Sequence, residues 1–189
     1  MGVLNIPNTL TLLRIVAIPF FATTLIYGRY DIALVVFVLA SITDALDGLI
    51  ARVTRKQTKL GQFLDPLADK ILLITSFILF SIYGWVPTWL TISIISRDLI
   101  VVVGWMLFYL IHQMIFIKPS ILGKSAIAAQ MLLLAYILLK INFRTLLPDP
   151  VILVWLTTVL TVASGLHYII KGLIGKPVGH SLSPAMHNA

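Results

Sequence analysis

The sequence predicts an all-α integral membrane protein with six transmembrane helices. Of its 189 residues, 59% are hydrophobic and 11% are charged, whereas soluble domains carry about 25% charged residues. Apolar runs long enough to cross a bilayer, about 20 residues each, alternate with short polar connections. The length of the chain suits six such spans in one membrane domain, residues 1–171, followed by a tail at 172–189.

Turn and charge signals separate the first three predicted spans, which are Thr9–Tyr27, Ile32–Arg52 and a helix that begins at Gly61–Asp65 and ends at Tyr83. A short interfacial lead-in, Met1–Asn8, precedes the first span, and a turn at Gly28–Asp31 follows it. A basic loop joins the second span to the third. Pro66 falls near the start of the third span, where the missing N–H of a proline is tolerated.

The last three predicted spans are Thr88–His112, Ser125–Leu139 and Val151–Ile170. A tight turn at Gly84–Pro87 precedes the fourth span. Loops at Gln113–Lys124 and Lys140–Pro150 flank the fifth, since both contain proline and charged residues and interrupt the apolar pattern.

Basic residues set the predicted orientation. With both termini inside, nine Lys and Arg residues fall on the inner side: Arg52, Arg55, Lys56, Lys59, Lys70, Lys118, Lys124, Lys171 and Lys176. The outer loops hold Arg29, Lys140 and Arg144. The positive-inside rule therefore predicts a multi-pass protein of the cell membrane with cytoplasmic termini. The net charge of +7 is expected to meet anionic lipid headgroups rather than nucleic acid.

Four aspartates near the second and third spans form the candidate site. All seven acidic residues of the chain are Asp, and four lie between positions 44 and 69: Asp44, Asp47, Asp65 and Asp69. An Asp at the centre of a membrane helix costs about 2.5–3.5 kcal/mol on insertion scales, so such residues are functional candidates by default. We expect a bound metal to offset their charge.

The spacing of these aspartates suits a metal and a pyrophosphate. Asp44 and Asp47 are i, i+3 on one helix, and Asp65 and Asp69 are i, i+4 on the next, so each pair shares a face. Carboxylate oxygens without His or Cys favour Mg²⁺ or Mn²⁺ over Zn²⁺. Small residues at Gly48 and Ala51 allow close approach to the backbone, and Arg52 offers a planar fork suited to phosphate. The pattern predicts a metal-assisted pyrophosphate site that opens to the cytoplasm.

This stretch resembles the signature of the CDP-alcohol phosphatidyltransferase family, D-x2-D-G-x2-A-R-x8-G-x3-D-x3-D, at every fixed position from Asp44 to Asp69. The likeness extends over about residues 4–171. The opening Asn5-Ile6-Pro7-Asn8-x-Leu10-Thr11-x-x-Arg14 and the run Asp65–Lys70 are most similar to its phosphatidylglycerophosphate synthase branch. The resemblance implies the CDP-alcohol phosphotransferase fold, a homodimer, two divalent ions, and displacement of CMP from CDP-diacylglycerol by an alcohol hydroxyl in phospholipid biosynthesis.

The resemblance also implies roles for single residues. Asp44, Asp47, Asp65 and Asp69 are the implied metal ligands, and Asp69 is the implied general base. The CDP moiety is expected against Gly48, Ala51, Arg52 and Gly61.

Two basic residues are candidates for the acceptor phosphate. Arg97 lies inside the fourth span beside Asp98, and either a local pair with Asp98 or phosphate binding accounts for it. Lys124 is either a phosphate ligand or a cytoplasmic anchor. The synthase branch has Gly-Lys-x-Lys-Thr-x-x-Gln where this chain reads Gly123-Lys124-Ser125-Ala126-Ile127-Ala128-Ala129-Gln130. The best guess for the acceptor is glycerol 3-phosphate, with inositol phosphate or another polar alcohol as the alternative.

The tail at 172–189 does not resemble the family. Its ending resembles the opening of shikimate dehydrogenase, whose two serines match Ser181 and Ser183. We expect either a fusion, or a truncated or shifted reading frame, rather than dehydrogenase activity; a chance match in a solvated tail is the alternative.

Two other classes of function stay open from the residues alone. A small transporter or channel could use the aspartates as a cation path, although these acids gather at one end of their spans. An inactive assembly partner could retain the fold.

Overall fold

The computed structural model describes the backbone of residues 6–54, 59–112, 120–143 and 147–174, and side chains within 12–43, 70–104, 106, 120–143 and 147–171. Over these ranges the chain is all-α, as predicted. The helices are α1 (Ile6–Ile26), α2 (Tyr30–Thr54), α3 (Lys59–Ile82), α4 (Thr88–His112), α5 (Ile121–Asn142) and α6 (Val151–Ile174).

The predicted bounds hold for α4 and differ by several residues elsewhere. α5 starts four residues earlier than predicted, because Ser120 takes an extended conformation (φ −77°, ψ 150°) and its side chain accepts the N–H of Gly123. This N-cap satisfies a donor that the first helical turn leaves open. Lys124 therefore lies in the first turn of α5 rather than in the predicted loop. At the other end of the chain, α6 continues to Ile174, past the predicted start of the tail.

Glycines end α1 and α3 in the same way. Gly28 and Gly84 have φ angles of 70° and 72°, a left-handed conformation that only glycine adopts readily. After Gly84, the N–H of Trp85 donates to the carbonyl of Phe80 at 2.8 Å, and their rings pack edge to face at 5.2 Å. Both ends are Schellman caps, and each reverses the chain in a few residues.

The helices pack around α1, α3 and α5. α1 lies against α2 and α3, α5 contacts α2, α3 and α6, and α4 packs on α3 and α6. The core between them consists of buried apolar residues, among them Phe21, Phe37, Phe77, Phe80, Leu133 and Leu134. The outward faces are also apolar, with Val16, Leu132 and Ile152 more than 60% exposed. Apolar surface of this kind is typical of a protein that contacts lipid.

Judged by length and composition, two of the helical stretches whose side chains are described can cross a membrane, Ile121–Asn142 and Val151–Lys171. Shorter apolar helical stretches are Leu12–Ile26, Tyr30–Thr43 and Lys70–Ile82. Six membrane spans therefore stay a prediction.

Contacts between helix ends show how the bundle is ordered. At one end, Asn142 at the close of α5 donates its side-chain N–H to the carbonyl of Tyr30 at 3.0 Å, and the Tyr30 ring packs edge to face on Trp85 at 5.3 Å. Successive helices alternate in direction, so the close of α2, the start of α3 and the start of α5 lie toward the opposite end. The aspartate motif and the polar contacts of the next subsection lie in that half.

Candidate functional site

The aspartate motif lies on two described helices. Asp44 and Asp47 fall in the last turns of α2, and Asp65 and Asp69 in the first turns of α3. Both stretches are continuous α-helix, so each pair shares a helix face, as the spacing predicted. The side chains at 44–54 and 59–69 lie outside the described residues. The predicted roles of the four aspartates, and of Gly48, Ala51, Arg52 and Gly61, therefore stay predictions.

The donor set of this motif fits a hard divalent cation. It consists of carboxylates alone, the ligands that Mg²⁺ and Mn²⁺ accept. Among the side chains that the structure describes, no group of three or more His, Asp or Glu residues could hold a metal ion. The aspartate motif lies outside those side chains and stays a predicted metal centre.

Arg97 is the centre of the described polar site. It lies on α4 and is only 6% exposed. Its Nε and Nη2 both donate to Oγ of Ser164 on α6, at 3.3 and 2.8 Å. Its Nη1 donates to Oδ1 of Asp98 at 2.6 Å. The local pair with Asp98 is therefore present, and a second helix also holds the guanidinium.

Two further residues of α6, Gly165 and Tyr168, also lie against Arg97. The guanidinium carbon of Arg97 lies 5.5 Å from the centre of the Tyr168 ring, within the range of a cation–π contact. A Cβ atom on Gly165 would lie 3.4 Å from Cγ of Arg97, so the aliphatic part of this side chain runs along the α6 backbone. α6 thus contacts the Arg97 side chain from its aliphatic part to its guanidinium group.

The start of α5 closes the site. The N–H of Ser120 donates to the hydroxyl of Tyr168 at 3.2 Å. A Cβ atom on the buried Gly123 would lie 2.9 Å from that hydroxyl and 3.2 Å from Nη2 of Arg97. Real Cβ atoms very rarely come so close, so this position requires glycine while its neighbours stay in place. Three helices, α4, α5 and α6, therefore meet around one guanidinium.

A second cation links this site to the aspartate motif. Nζ of Lys70 on α3 lies 3.5 Å from Oδ2 of Asp98, so this carboxylate lies between two cations. Lys70 directly follows Asp69. Asp98 therefore joins Arg97 to Lys70, the neighbour of the predicted general base Asp69, through two described ion pairs.

Lys124 is near this site but exposed. It follows Gly123 in the first turn of α5, and its backbone N–H donates to the carbonyl of Ser120 at 3.1 Å. Its position is compatible with both predicted roles, phosphate ligand and cytoplasmic anchor.

Sequence reasoning missed Lys70, Ser164, Gly165 and Tyr168. One signal could have indicated α6, since hydroxyl residues recur there at helical spacing: Thr157, Thr161, Ser164 and Tyr168. Thr157, Thr161 and Ser164 are fully buried. Thr161 accepts a hydrogen bond from the side-chain amide of Gln130 at 3.1 Å, so this part of the row faces α5, whereas Ser164 faces Arg97 on α4.

Comparison with known proteins gives the family. The sequence matches the CDP-alcohol phosphatidyltransferase family over residues 4–163. A CDP-diacylglycerol–glycerol-3-phosphate 3-phosphatidyltransferase from Bacillus subtilis is 33% identical over 184 residues, which cover 88% of this chain and 94% of that protein.

Two further relatives match over shorter stretches. A probable phosphatidylglycerophosphate synthase from Mycobacterium tuberculosis is 42% identical over 101 residues, or 50% of this chain and 48% of that protein. A human cardiolipin synthase (CMP-forming) is 35% identical over 69% of this chain and 49% of that protein. The match thus spans about half the length of these two relatives and nearly all of the Bacillus protein. The chain, whose Asp44–Asp69 stretch carries the complete signature, belongs to the CDP-alcohol phosphatidyltransferase family.

Proposed function

We propose that this protein transfers the phosphatidyl group of CDP-diacylglycerol to glycerol 3-phosphate, forming phosphatidylglycerophosphate and releasing CMP. The choice of a phosphate-bearing acceptor rests on one observation, the buried Arg97. Its partner Asp98 also pairs with Lys70, the residue that directly follows Asp69. The name of the Bacillus relative, which matches most of this chain, supports the same acceptor.

The donor would bind at the aspartate motif. Asp44, Asp47, Asp65 and Asp69 would hold two Mg²⁺ or Mn²⁺ ions, whose chemistry is to neutralise charge on the pyrophosphate of the donor. Gly48, Ala51 and Gly61 would leave room for the CDP moiety, and Arg52 would donate to a phosphate oxygen.

The acceptor would bind between this motif and Arg97. Its phosphate would take N–H donors of Arg97, with Lys124 as a second cation, and its hydroxyl would point toward Asp69. Asp69 would accept the hydroxyl proton as the oxygen attacks the phosphorus of the phosphatidyl group. The bond from that phosphorus to the oxygen of CMP breaks, and CMP leaves with the electron pair.

One departure from the family pattern makes the acceptor worth testing directly. Ala126 stands where the synthase branch has a second lysine, and it is fully buried one turn beyond Gly123. The chain lacks that charge on the α5 face that contacts Arg97. Ile127, the other departure, is 39% exposed. Inositol phosphate is therefore the second acceptor to compare.

Six membrane spans with cytoplasmic termini complete the proposal. Exposed apolar side chains on α1, α5 and α6 support contact with lipid. Lys70, Lys124 and Lys171 lie toward the end that holds the aspartate motif, whereas Arg29 and Lys140 lie toward the other, and this asymmetry supports a cytoplasmic site. We also propose a homodimer, on the family resemblance alone.

The test is CMP release by purified protein with CDP-diacylglycerol, Mg²⁺ and a panel of acceptors: glycerol 3-phosphate, inositol phosphate and glycerol. We expect release with glycerol 3-phosphate, and loss of about 10²–10⁴ in rate for Asp69→Asn. CMP release with inositol phosphate alone would show that inositol phosphate, and not glycerol 3-phosphate, is the acceptor in the same transfer reaction. No release by folded, metal-loaded protein would refute the proposal and favour a transporter or an inactive partner.

A further inference from the structure

Neutral groups of α6 hold one edge of the Arg97 guanidinium, the edge that does not pair with Asp98. The hydroxyl of Ser164 accepts from both Nε and Nη2, so one whole edge of the guanidinium is fixed by a single oxygen. The Tyr168 ring lies 5.5 Å from the guanidinium carbon. Ser164 is 67 residues from Arg97 in the sequence, and the aspartate signature includes neither Ser164 nor Tyr168.

The chemistry of these contacts differs from that of an ion pair. A hydroxyl and an aromatic ring hold an arginine without cancelling its charge, whereas a carboxylate largely does. Asp98 is the anion beside Arg97 among the described residues, and it is shared with Lys70. The guanidinium therefore keeps a net attraction for a further anion.

The same contacts decide which atoms face that anion. With Nε bound to Ser164, the Nη2 end points to Gly123 at the start of α5, 3.2 Å from where a Cβ atom would lie. The hydroxyl of Tyr168 accepts the N–H of Ser120 and so ties the ring to the same turn. Arg97 is thus held in one direction, toward the first turn of α5 and Lys124.

We propose that Ser164 and Tyr168 are positioning residues that fix Arg97 for a phosphate-bearing alcohol, and so make α6 a determinant of acceptor specificity. This rests on the proposed function, since it assigns the acceptor phosphate to Arg97. In this proposal the two residues act on the acceptor through Arg97, and donor binding is assigned to the aspartate motif instead.

The experiment compares Ser164→Ala with Thr157→Val in the full-length protein. Thr157 is also fully buried on α6, and its hydroxyl donates to the carbonyl of Ala129 at 3.3 Å instead of holding Arg97. We expect Ser164→Ala to raise the KM for glycerol 3-phosphate about tenfold, the order of magnitude for a hydrogen bond to a charged group. The KM for CDP-diacylglycerol and the thermal midpoint should stay near those of Thr157→Val.

Variants at the ring give an independent arm. Tyr168→Phe keeps the ring beneath Arg97, whereas Tyr168→Leu removes it, so we expect the larger rise in KM for glycerol 3-phosphate with Tyr168→Leu. Ser164→Thr keeps the accepting oxygen and should restore most of the affinity that Ser164→Ala loses. These variants carry the test if Ser164→Ala does not fold.

The outcomes distinguish a failure of the proposed function from a failure of the positioning role of Ser164 and Tyr168. If wild-type protein releases no CMP with glycerol 3-phosphate, the proposed function has failed. If wild-type protein is active, two results overturn the positioning role: an unchanged KM for the acceptor in Ser164→Ala and Tyr168→Leu, or an equal rise for both substrates. A second readout is the rise in thermal midpoint that glycerol 3-phosphate produces, which Ser164→Ala should reduce without change in the effect of CDP-diacylglycerol.

Discussion

Replacing Gly123 by alanine should weaken acceptor binding without affecting the donor. The new Cβ atom would lie 2.9 Å from the Tyr168 hydroxyl, 3.1 Å from Oγ of Ser120 and 3.2 Å from Nη2 of Arg97. None of these atoms can yield freely, because the hydroxyl accepts the N–H of Ser120, Oγ caps α5 and Nη2 is bound to Ser164. Something in the site must therefore move.

The size of the effect follows from the cost of adding a methyl group to a packed site. Such overpacking costs about 1–3 kcal/mol, which corresponds to roughly 5- to 150-fold in affinity if the strain is released by displacing Arg97. We expect that rise in the KM for glycerol 3-phosphate, with the KM for CDP-diacylglycerol within about twofold of wild type. The assay is CMP release at varied concentrations of each substrate.

Gly165→Ala is the matched control. Gly165 is also a buried helical glycine beside Arg97, but its Cβ atom would lie 3.4 Å from Cγ of Arg97 and 3.8 Å from Cβ, which are ordinary contacts. Alanine is favoured over glycine in a helix by about 1 kcal/mol, so this variant should be as stable as wild type and bind the acceptor normally. Equal effects of the two substitutions, or none from Gly123→Ala, would refute the reasoning.

Three further predictions concern charge, topology and metal. Asp98→Asn leaves Arg97 and Lys70 without their shared anion, so it should lower the thermal midpoint more than Asp149→Asn does. The Asp149 carboxylate is 81% exposed in its pair with Lys140, and such exposed pairs contribute little to stability. Equal shifts of the two thermal midpoints would contradict this prediction. Because the chain contains no cysteine, single introduced cysteines report topology. Lys124→Cys should react with an impermeant maleimide only from the cytoplasmic side, and Arg29→Cys only from the opposite side. The reverse pattern of labelling would show the opposite orientation. A chelator should abolish CMP release, and Mg²⁺ or Mn²⁺ should restore it; activity that survives chelation would contradict a metal centre at the aspartates.

Local signals predicted the parts of the fold that depend on neighbouring residues. The bounds of α4 follow from the turn before it, where Gly84 supplies a positive φ and the carbonyl of Pro87 accepts the first helical N–H groups, such as that of Leu90 at 3.0 Å. The start of α5 was placed four residues too late. There Pro119 and the charged residues of the 113–124 stretch predicted a loop, and the capping effect of Ser120 outweighed that signal.

The contacts of Arg97 also divide into a local one, which the sequence could indicate, and a long-range one, which it could not. The pair of Arg97 with Asp98 joins adjacent residues, so the sequence alone could indicate it. The bond from Arg97 to Ser164 joins residues far apart in the chain, and the helical spacing of Thr157, Thr161 and Ser164 indicates only that they share a face. Helix packing decides which neighbour that face meets, and a single sequence carries no direct record of it.

The most direct test of the account is the dependence of acceptor choice on Arg97. It compares kcat/KM for glycerol 3-phosphate and for glycerol in wild-type protein and in Arg97→Lys, a variant that keeps the charge but loses the planar fork that Ser164 orients. We predict that Arg97→Lys lowers kcat/KM for glycerol 3-phosphate by roughly tenfold or more and leaves any turnover of glycerol unchanged. An equal loss for both acceptors, or none for glycerol 3-phosphate, would contradict the assignment of the acceptor phosphate to Arg97.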